Sequence, residues 1–249
     1  MRRPAEAVHE VVSPTAPGHR DDEVAPVDLD QVAPEAVRSW RTPAAICAAA
    51  TVVLVGATAA VLGGGSWALP LDERLHAFAL AHRGALDIAV AGAVTWAGAT
   101  TVALPVVAVV GALAPAGRRS WRDRVGSGAL LVGIAATGVY AGLLLNGAVG
   151  RVRPAEADWA GAAGGPAFPS GHTTMGTLLA ATCAWALCDR VTSTRGRVLL
   201  WSAAVVLAAA VGWSRWWLGV HWMTDVLGGW AVGAAWCAAA AALTIRLRR

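Results

Sequence analysis

The sequence contains no lysine, so arginine carries all of its fixed positive charge. Charged residues make up only 14% of the chain, whereas a soluble domain carries about a quarter. Apolar residues account for 56% of the sequence and occur largely in uninterrupted blocks, a pattern typical of membrane spans. A single soluble, alanine-rich helical domain is therefore the weaker alternative.

The composition predicts neither nucleic-acid binding nor metal chemistry. A pI of 9.4 would suit a nucleic-acid partner, but the arginines lie beside apolar blocks, where membrane orientation explains them better. No cluster of Asp, Glu and His has the spacing of a metal site, so we expect no metal or other cofactor. The cysteines also lie in or next to apolar blocks, and we expect buried thiols rather than disulfides. They are Cys47, Cys183, Cys188 and Cys237.

Two regions of the chain differ in composition. Residues 1–43 are rich in Pro, Glu, Asp, Val and Ala without an apolar period, which predicts a disordered tail. Polar residues follow Arg2 and Arg3, so we do not expect a signal peptide. Residues 44–249 carry six apolar segments near the ~20 residues that cross a bilayer, which predicts an all-α bundle of six transmembrane helices. The segments are 44–64, 92–114, 127–147, 172–189, 198–213 and 223–245.

A shorter segment lies just before the second predicted span. Leu71, Leu75 and Phe78 recur at helical spacing there, among charged neighbours. This pattern predicts a helix that lies along the membrane interface. The helix that follows is expected to break at Gly98 or at Pro105.

Arginine clusters alternate with the six predicted spans and indicate their orientation. Four groups fall on one face, which the positive-inside rule makes cytoplasmic, together with both ends of the chain. The segments that contain His172 and His221 then lie on the extracytoplasmic face of a cell membrane. The groups are Arg38 and Arg41; Arg118, Arg119, Arg122 and Arg124; Arg190, Arg195 and Arg197; and Arg246, Arg248 and Arg249.

The peptide Pro169-Ser170-Gly171-His172 opens the fourth predicted span. Ser170 can cap a helix that starts there, and a helix N-terminus attracts anions. Gly171 allows a ligand to approach the backbone closely, and His172 can hand a proton to a group bound at this end. The alternative is an ordinary helix cap with a histidine at the interface.

A second motif comprises Ser214-Arg215 and, further on, His221 and Asp225. If a helix begins near His221, Asp225 lies one turn along on the same face. A carboxylate there fixes the tautomer of the imidazole and frees its other nitrogen as a nucleophile. A carboxylate in a membrane helix is costly and is a functional candidate by default. The alternative is a structural carboxylate that pairs with an arginine.

A third element is Arg151-Val152-Arg153-Pro154. Two loop arginines can clamp phosphate oxygens through bidentate hydrogen bonds. Taken alone, such a pair is more often a solvated surface. The predicted position of Arg151 and Arg153 on the same face as both histidines favours the functional interpretation.

In this order, the three elements resemble the type 2 phosphatidic acid phosphatase superfamily over about residues 44–245. The first motif of that family is a lysine followed, after six residues, by Arg-Pro. Its second motif is Pro-Ser-Gly-His. Its third motif is Ser-Arg, then five residues, a histidine, three residues and an aspartate. The second and third motifs match completely, and Arg153-Pro154 ends the first. Asn146 stands where the family has lysine. An asparagine can donate a hydrogen bond to a phosphate oxygen but brings no charge. Three alternatives follow: Arg151 makes up the charge, the site binds a less charged group, or the activity is weak.

The resemblance implies a role for each of these residues. His221 would attack phosphorus and form a phosphohistidine, with Asp225 orienting its ring. His172 would protonate the leaving alkoxide and then activate water. Positioning and electrostatic stabilisation would carry the reaction without a metal. The implied phosphate ligands are Arg153, Arg215, Ser170, the backbone N–H of Gly171, and Asn146.

These roles imply an integral membrane phosphatase that hydrolyses a lipid phosphomonoester or diphosphate, with a slight preference for a polyprenyl over a phosphatidate type. A phosphotransferase with the same intermediate is an alternative. A vanadate haloperoxidase shares the site resemblance but is soluble, which argues against it. A lipid-phosphate-binding protein with impaired catalysis is motivated by Asn146, although the intact His172, His221 and Asp225 oppose it.

Tryptophans crowd around the last predicted external loop. An aromatic belt at the membrane interface is the favoured interpretation, and a grip on a lipid chain is the alternative. The residues are Trp213, Trp216, Trp217, Trp222 and Trp230.

Overall fold

The computed structural model describes residues 40–63, 68–114 and 120–247, and within these ranges it is helical without strands. Most of the predicted tail, residues 1–39, lies outside the described residues. Two 3₁₀ turns, Trp96–Gly98 and Glu156–Asp158, interrupt the helices. The helices are α1 Arg41–Leu62, α2 Ala68–His82, α3 Ala85–Thr95, α4 Thr100–Leu113, α5 Trp121–Val149, α6 Gly171–Cys188, α7 Thr194–Trp217 and α8 Met223–Leu247.

Four helices are long and apolar enough to cross a membrane, namely α1, α5, α7 and α8. A fifth span is formed if the bent pair Pro70–His82 and Ala85–Gly98, which meet at 119°, counts as one. The protein is therefore an all-α, multi-pass membrane protein. The expected count of six continuous spans is not reproduced in the described part of the chain.

The second predicted span, residues 92–114, is broken where Gly98 was expected to break it. The chain leaves helical geometry at Ala99, which has φ −74° and ψ 126°. A Cβ atom on Gly98 would lie 2.5 Å from the carbonyl oxygen of His172, so only glycine lets this break approach α6. Pro105 stays inside α4 and does not interrupt it.

The fourth predicted span is the central helix of the bundle, α6, which packs against α4, α5, α7 and α8. It falls short of the hydropathy of a lipid-exposed span because threonines occupy its buried face. The hydroxyls of Thr174 and Thr177 donate to carbonyls one turn back, so these polar groups are satisfied inside the protein. Gly229 and Gly233 of α8 allow the close approach, since a Cβ on either would lie under 3.0 Å from a threonine.

Local capping signals determine where α5 begins and ends. Ser120 and Asp123 form a capping box at its N-terminus, with Ser120 Oγ accepting from the Asp123 N–H at 3.3 Å. The helix ends at Gly150, whose φ of +63° places it in the left-handed region that glycine adopts readily. Asn146 therefore lies in the last turn of α5, and the loop with Arg151 and Arg153 starts directly after it.

Contacts between helix ends place arginine-rich segments together, at the end opposite the motifs. Arg246 near the end of α8 lies over the ring of Trp40, 6.0 Å from its centroid, so the start of α1 and the end of α8 are neighbours. Arg190 after α6 donates to the carbonyl of Ala114 at 2.7 Å, which joins that connection to the end of α4.

The predicted interface segment forms α2, which confirms the helix. Leu71 and Phe78 are exposed and Leu75 is half-buried, whereas Asp72 and His76 are buried against the protein. The face that packs on the protein is therefore largely polar, and a position along the membrane interface stays a prediction.

The tryptophan cluster packs mainly between helices. Trp216 is 8% exposed and contacts Ala79 of α2 and Val226 of α8. A position in a lipid-facing belt is therefore wrong for Trp216. The other four tryptophans are half-buried.

Candidate active site

A cavity of about 250 Å³ lies where the ends of α5, α6 and α7 meet the loop that precedes α8. Six predicted site residues line it, together with apolar side chains of α5 and the glycine-rich loop of residues 161–166. The six are Asn146, Arg153, Gly171, His172, Arg215 and His221.

The capping of α6 brings the two histidine motifs together. Ser170 is the N-cap residue, and its Oγ accepts from the Thr173 N–H at 3.5 Å, as predicted. Its own N–H donates to the carbonyl of Asp225 at 3.0 Å, which joins the start of α6 to the start of α8. Ser170 is fully buried behind the cavity, whereas Gly171 and His172 reach its wall.

His221 and Asp225 form the predicted pair, although α8 begins only at Met223. The Nδ1 atom of His221 lies 3.3 Å from Asp225 Oδ2, which also accepts from the Trp222 N–H at 2.9 Å. Both side chains are buried. The carboxylate therefore fixes the ring of His221 from one side.

The other ring nitrogen of His221 faces an arginine. Arg153 Nη1 lies 2.9 Å from His221 Nε2 and donates to the Val220 carbonyl at 2.7 Å. An arginine only donates, so Nε2 is the acceptor and the ring proton resides on Nδ1. Burial lowers the pKa of His221 to about 4, against the opposing effect of Asp225, and the positive charges of Arg153 and Arg215 add to the lowering. His221 is therefore neutral at physiological pH, with a lone pair on the cavity side.

The two arginines of the cavity are held differently. Arg153 also donates to carbonyls of Gly164, Gly165 and Pro166, at 2.9, 2.9 and 3.0 Å, so it anchors the glycine-rich loop. Arg215 is 3% exposed and donates to Thr95 Oγ1 at 3.0 Å and to the Ala162 carbonyl at 3.2 Å. Its Nε has no hydrogen-bond partner among the described residues. Arg215 therefore lines the cavity with an unpaired donor that is itself buried.

Asn146 lines the cavity, but its amide nitrogen is already engaged. Its Nδ2 donates to the Pro166 carbonyl at 3.0 Å and to the Pro169 carbonyl at 3.2 Å. Both N–H groups are used, so the expectation that Asn146 donates to a phosphate oxygen is corrected by this placement.

Arg151 points away from the cavity, into a buried network. Its Nη2 donates to Asp72 Oδ2 and its Nη1 to Asp225 Oδ1, each at 2.7 Å, and Nη1 also bonds to Thr224 Oγ1. The side chain is 7% exposed, and its guanidinium lies 5.7 Å from the ring centroid of Trp222. This placement corrects the expectation that Arg151 clamps phosphate oxygens, because two carboxylates occupy both of its terminal nitrogens.

Asp72 is the site residue that sequence reasoning missed. It lies on α2, accepts from the Thr224 N–H at 3.0 Å and reaches Asp225 through Arg151. No local signal singles it out, because Glu73 and Arg74 follow it directly in a charged stretch. The sequence alone could not show its partner, which is 79 residues away.

Comparisons with known proteins identify a family and a similar fold. The profile described as PAP2 superfamily matches residues 126–249. Phosphatidylglycerophosphatase B of Bacillus subtilis (strain 168) is 30% identical over 141 residues, which cover 56% of this chain and 66% of that protein, just under two thirds. The crystal structure of a transmembrane PAP2 type phosphatidylglycerolphosphate phosphatase from Bacillus subtilis has a TM-score of 0.70 at 24% identity, covering 81% of this chain and 94% of the other. The family resemblance of the three motifs is thus confirmed, and the chain belongs to the PAP2 superfamily, with residues 126–249 as the matching part.

Proposed function

We propose that the protein is an integral membrane phosphatase that hydrolyses a lipid phosphomonoester through a phosphohistidine on His221. The observation that carries the proposal is the state of the His221 ring. Its Nδ1 faces Asp225 and its Nε2 lone pair faces the cavity, which Arg153, Arg215 and His172 also line and where they would surround a phosphate. A neutral, oriented imidazole beside two arginines is suited to attack at phosphorus.

The first proposed step forms a bond from His221 Nε2 to phosphorus and breaks the bond from phosphorus to the ester oxygen. A phosphoryl oxygen takes over the Arg153 N–H that Nε2 accepts in the free protein. In the complex, where the negative charge of the phosphate favours the protonated form of His172, this residue gives its proton to the leaving alkoxide, and Asp225 stabilises the positive charge that develops on His221.

The second proposed step returns the site to its starting state. Neutral His172 takes a proton from water, whose oxygen bonds to phosphorus while the bond to His221 Nε2 breaks. Inorganic phosphate leaves, and His172 is protonated again for the next cycle. Arg153 and Arg215 balance the phosphoryl charge in both steps, so we propose that no metal is required.

The proposed substrate is a lipid because the cavity opens beside apolar residues of α5. Val139 and Leu143 line it, and Leu143 is exposed on the outer face of the bundle. The Bacillus subtilis relative is named for phosphatidylglycerophosphate, which makes that phosphomonoester the first substrate to assay. A polyprenyl diphosphate, which the motif resemblance favoured, is the second.

The decisive experiment assays the purified protein in detergent, with a chelator present, on both lipids. We expect inorganic phosphate to be released, and we expect His221→Gln to abolish the release. His76→Gln is a matched control, because His76 is also buried and pairs with Asp158 at 3.0 Å but does not line the cavity. Persistent turnover in His221→Gln would overturn the mechanism.

The intermediate and the reaction class are tested in the same preparation. Rapid quenching after addition of a labelled lipid phosphate should trap an acid-labile, alkali-stable label on the protein that His221→Gln lacks. Transfer of phosphate to an alcohol without free phosphate would indicate a phosphotransferase instead. Binding without turnover of either lipid would indicate a lipid-phosphate-binding protein.

We further propose that the cavity faces the outside of the cell membrane, with the arginine-rich ends of the helices in the cytoplasm. In a background whose native cysteines are replaced by alanine, a cysteine at exposed Val152 should react with a membrane-impermeant maleimide in intact cells. A cysteine at Arg122, at the opposite end of α5, should react only after lysis. The reverse labelling pattern would mean that the cavity faces the cytoplasm.

A further inference from the structure

Asn146 offers the cavity an acceptor and no free donor. Its two amide hydrogens point to the carbonyls of Pro166 and Pro169. Its Oδ1 has no hydrogen-bond partner among the described residues and is not one of the buried unpartnered atoms, while the residue lines the cavity. The polar atom presented to a ligand is therefore a carbonyl oxygen.

The orientation of this amide is fixed by its surroundings. Rotating it by half a turn would place Oδ1 next to two carbonyl oxygens, at the 3.0 and 3.2 Å now occupied by Nδ2. Three acceptors would then face one another without a proton between them, which costs far more than the present arrangement.

An acceptor in a phosphate site restricts which protonation state can bind. A phosphomonoester dianion has only acceptor oxygens, so an oxygen placed against Oδ1 would be repelled. The monoanion carries one P–OH group, which can donate to Oδ1 while its other oxygens accept from Arg153 and Arg215. We propose that Asn146 Oδ1 accepts a hydrogen bond from a phosphate O–H, so that the site selects the monoprotonated phosphate; this inference rests on the phosphatase function proposed above.

The charges around the cavity agree with a monoanion. Arg151 is turned onto Asp72 and Asp225, so its charge is balanced away from the cavity. The charged and titratable groups around this end of α5 are His172 on α6, Arg215 on α7, Asp225 on α8, and Arg151, Arg153 and His221 in the loops. A lysine at position 146 would add a cation and a donor, which suits a dianion.

The test is binding of inorganic phosphate, which has no lipid headgroup, measured by calorimetry from about pH 5.5 to about pH 8.5, the range in which phosphate groups lose their second proton. If only the monoanion binds, the Kd should rise about tenfold for each pH unit above the second pKa of phosphate, as the competent fraction falls. A Kd that does not change with pH would overturn the proposal.

Two comparisons separate Asn146 from the histidines that line the cavity, His172 and His221. Asn146→Lys keeps a donor for the two proline carbonyls and should bind phosphate at the alkaline end at least about tenfold more tightly than the wild type, with the pH slope lost. The same slope in both proteins would assign the effect to a histidine and contradict the proposal. Sulfate, a dianion without an O–H group, should bind the wild type at acid pH at least about tenfold more weakly than phosphate; equal binding would contradict the proposal even if the variant does not fold.

A hydroxyl of the lipid headgroup is the other source of a donor for Oδ1. In that case inorganic phosphate would show no pH slope, while a lipid phosphate with a free headgroup hydroxyl would have a lower KM than its deoxy analogue. That outcome would replace the phosphate O–H with an alcohol. If the protein hydrolyses a lipid phosphate but its Kd for inorganic phosphate does not change with pH, this inference alone is refuted. If it neither hydrolyses a lipid phosphate nor binds inorganic phosphate, the proposed function is refuted.

Discussion

The two sides of the His221 ring differ in how completely their polar atoms are bonded. On the Nδ1 side, a rear network joins Asp72, Arg151, Thr224 and Asp225, and every carboxylate oxygen in it has at least one donor. On the Nε2 side, a front group of Arg153, Arg215 and Asn146 faces the cavity. Within the described residues, Arg215 Nε and Asn146 Oδ1 have no partner.

In the proposed mechanism, this difference separates the residues that hold the nucleophile from the residues that bind the substrate. A saturated buried network fixes its members in one arrangement, because loss of any bond leaves a desolvated charge. Unpaired donors and acceptors at a cavity wall cost stability, and a ligand that satisfies them recovers that cost. We therefore expect substitutions in the rear network to lower mainly the stability of the protein, and substitutions in the front group to lower mainly its activity.

The largest effect is expected from Arg151→Met, which breaks the rear network. Without the guanidinium, Asp72 and Asp225 would remain buried as unpaired carboxylates. Removing one partner of a buried ion pair costs about 3–5 kcal/mol, so the free energy of unfolding in detergent should fall by that amount and activity should be lost. Arg122→Met, on an exposed arginine of α5, is the matched control and should stay within about 0.5 kcal/mol of the wild type. Unchanged stability of Arg151→Met would mean that the network does not hold the fold.

The next effect is expected from Arg215→Gln in the front group. Loss of one charged donor from a transition-state site lowers the rate about 10²–10³-fold, so kcat/KM on the lipid phosphate should fall by that factor. Thermal stability should be unchanged or higher, because a buried cation with an unpartnered Nε has been removed. A variant that loses stability and activity together would contradict the separation of front and rear.

The helix cap at Ser170 and the pair of His221 and Asp225 were largely predictable from the sequence, because their signals are local. Ser170 caps α6, and His221 and Asp225 stand one turn apart, so short spacing alone places them. The rear network was not predictable in the same way. Its link from Asp72 to Arg151 joins residues 79 positions apart, and no periodic pattern encodes such a pair.

The directions in which the side chains of the site point could not be predicted from the sequence either. Arg151 and Arg153 are two residues apart in one loop, yet one faces the carboxylates behind His221 and the other faces its Nε2. Asn146 was expected to donate to phosphate, but the proline carbonyls of the following loop take its amide hydrogens. These choices depend on which groups the tertiary fold brings near, so residue type and spacing could not decide them.

A smaller effect is expected from Asp72→Asn, which keeps the shape of the rear network but removes a charge. The new NH₂ group must face either Arg151 or the Thr224 N–H, both of which are donors. One lost bond and the weaker neutral acceptor should together lower the free energy of unfolding by about 1–3 kcal/mol. In the double variant that combines Arg151→Met with Asp72→Asn, the free energy of unfolding should fall by less than the sum of the two single reductions. Additive effects would show that the two residues are not coupled.

The smallest effect concerns His221, which lies between the two regions. Its folded pKa of about 4 is below the unfolded value of 6.5, so the unfolded chain binds more protons between these values. The stability contributed by neutral His221 is therefore present above pH 6.5 and is lost as the pH falls towards 4. Replacing His221 by Gln should reduce the slope of unfolding free energy against pH in this window by up to about 1.4 kcal/mol per pH unit. Identical slopes for the wild type and the variant, measured by chemical denaturation in detergent, would mean that folding does not lower the pKa of His221 from 6.5, so that burial would not keep the ring neutral below that pH.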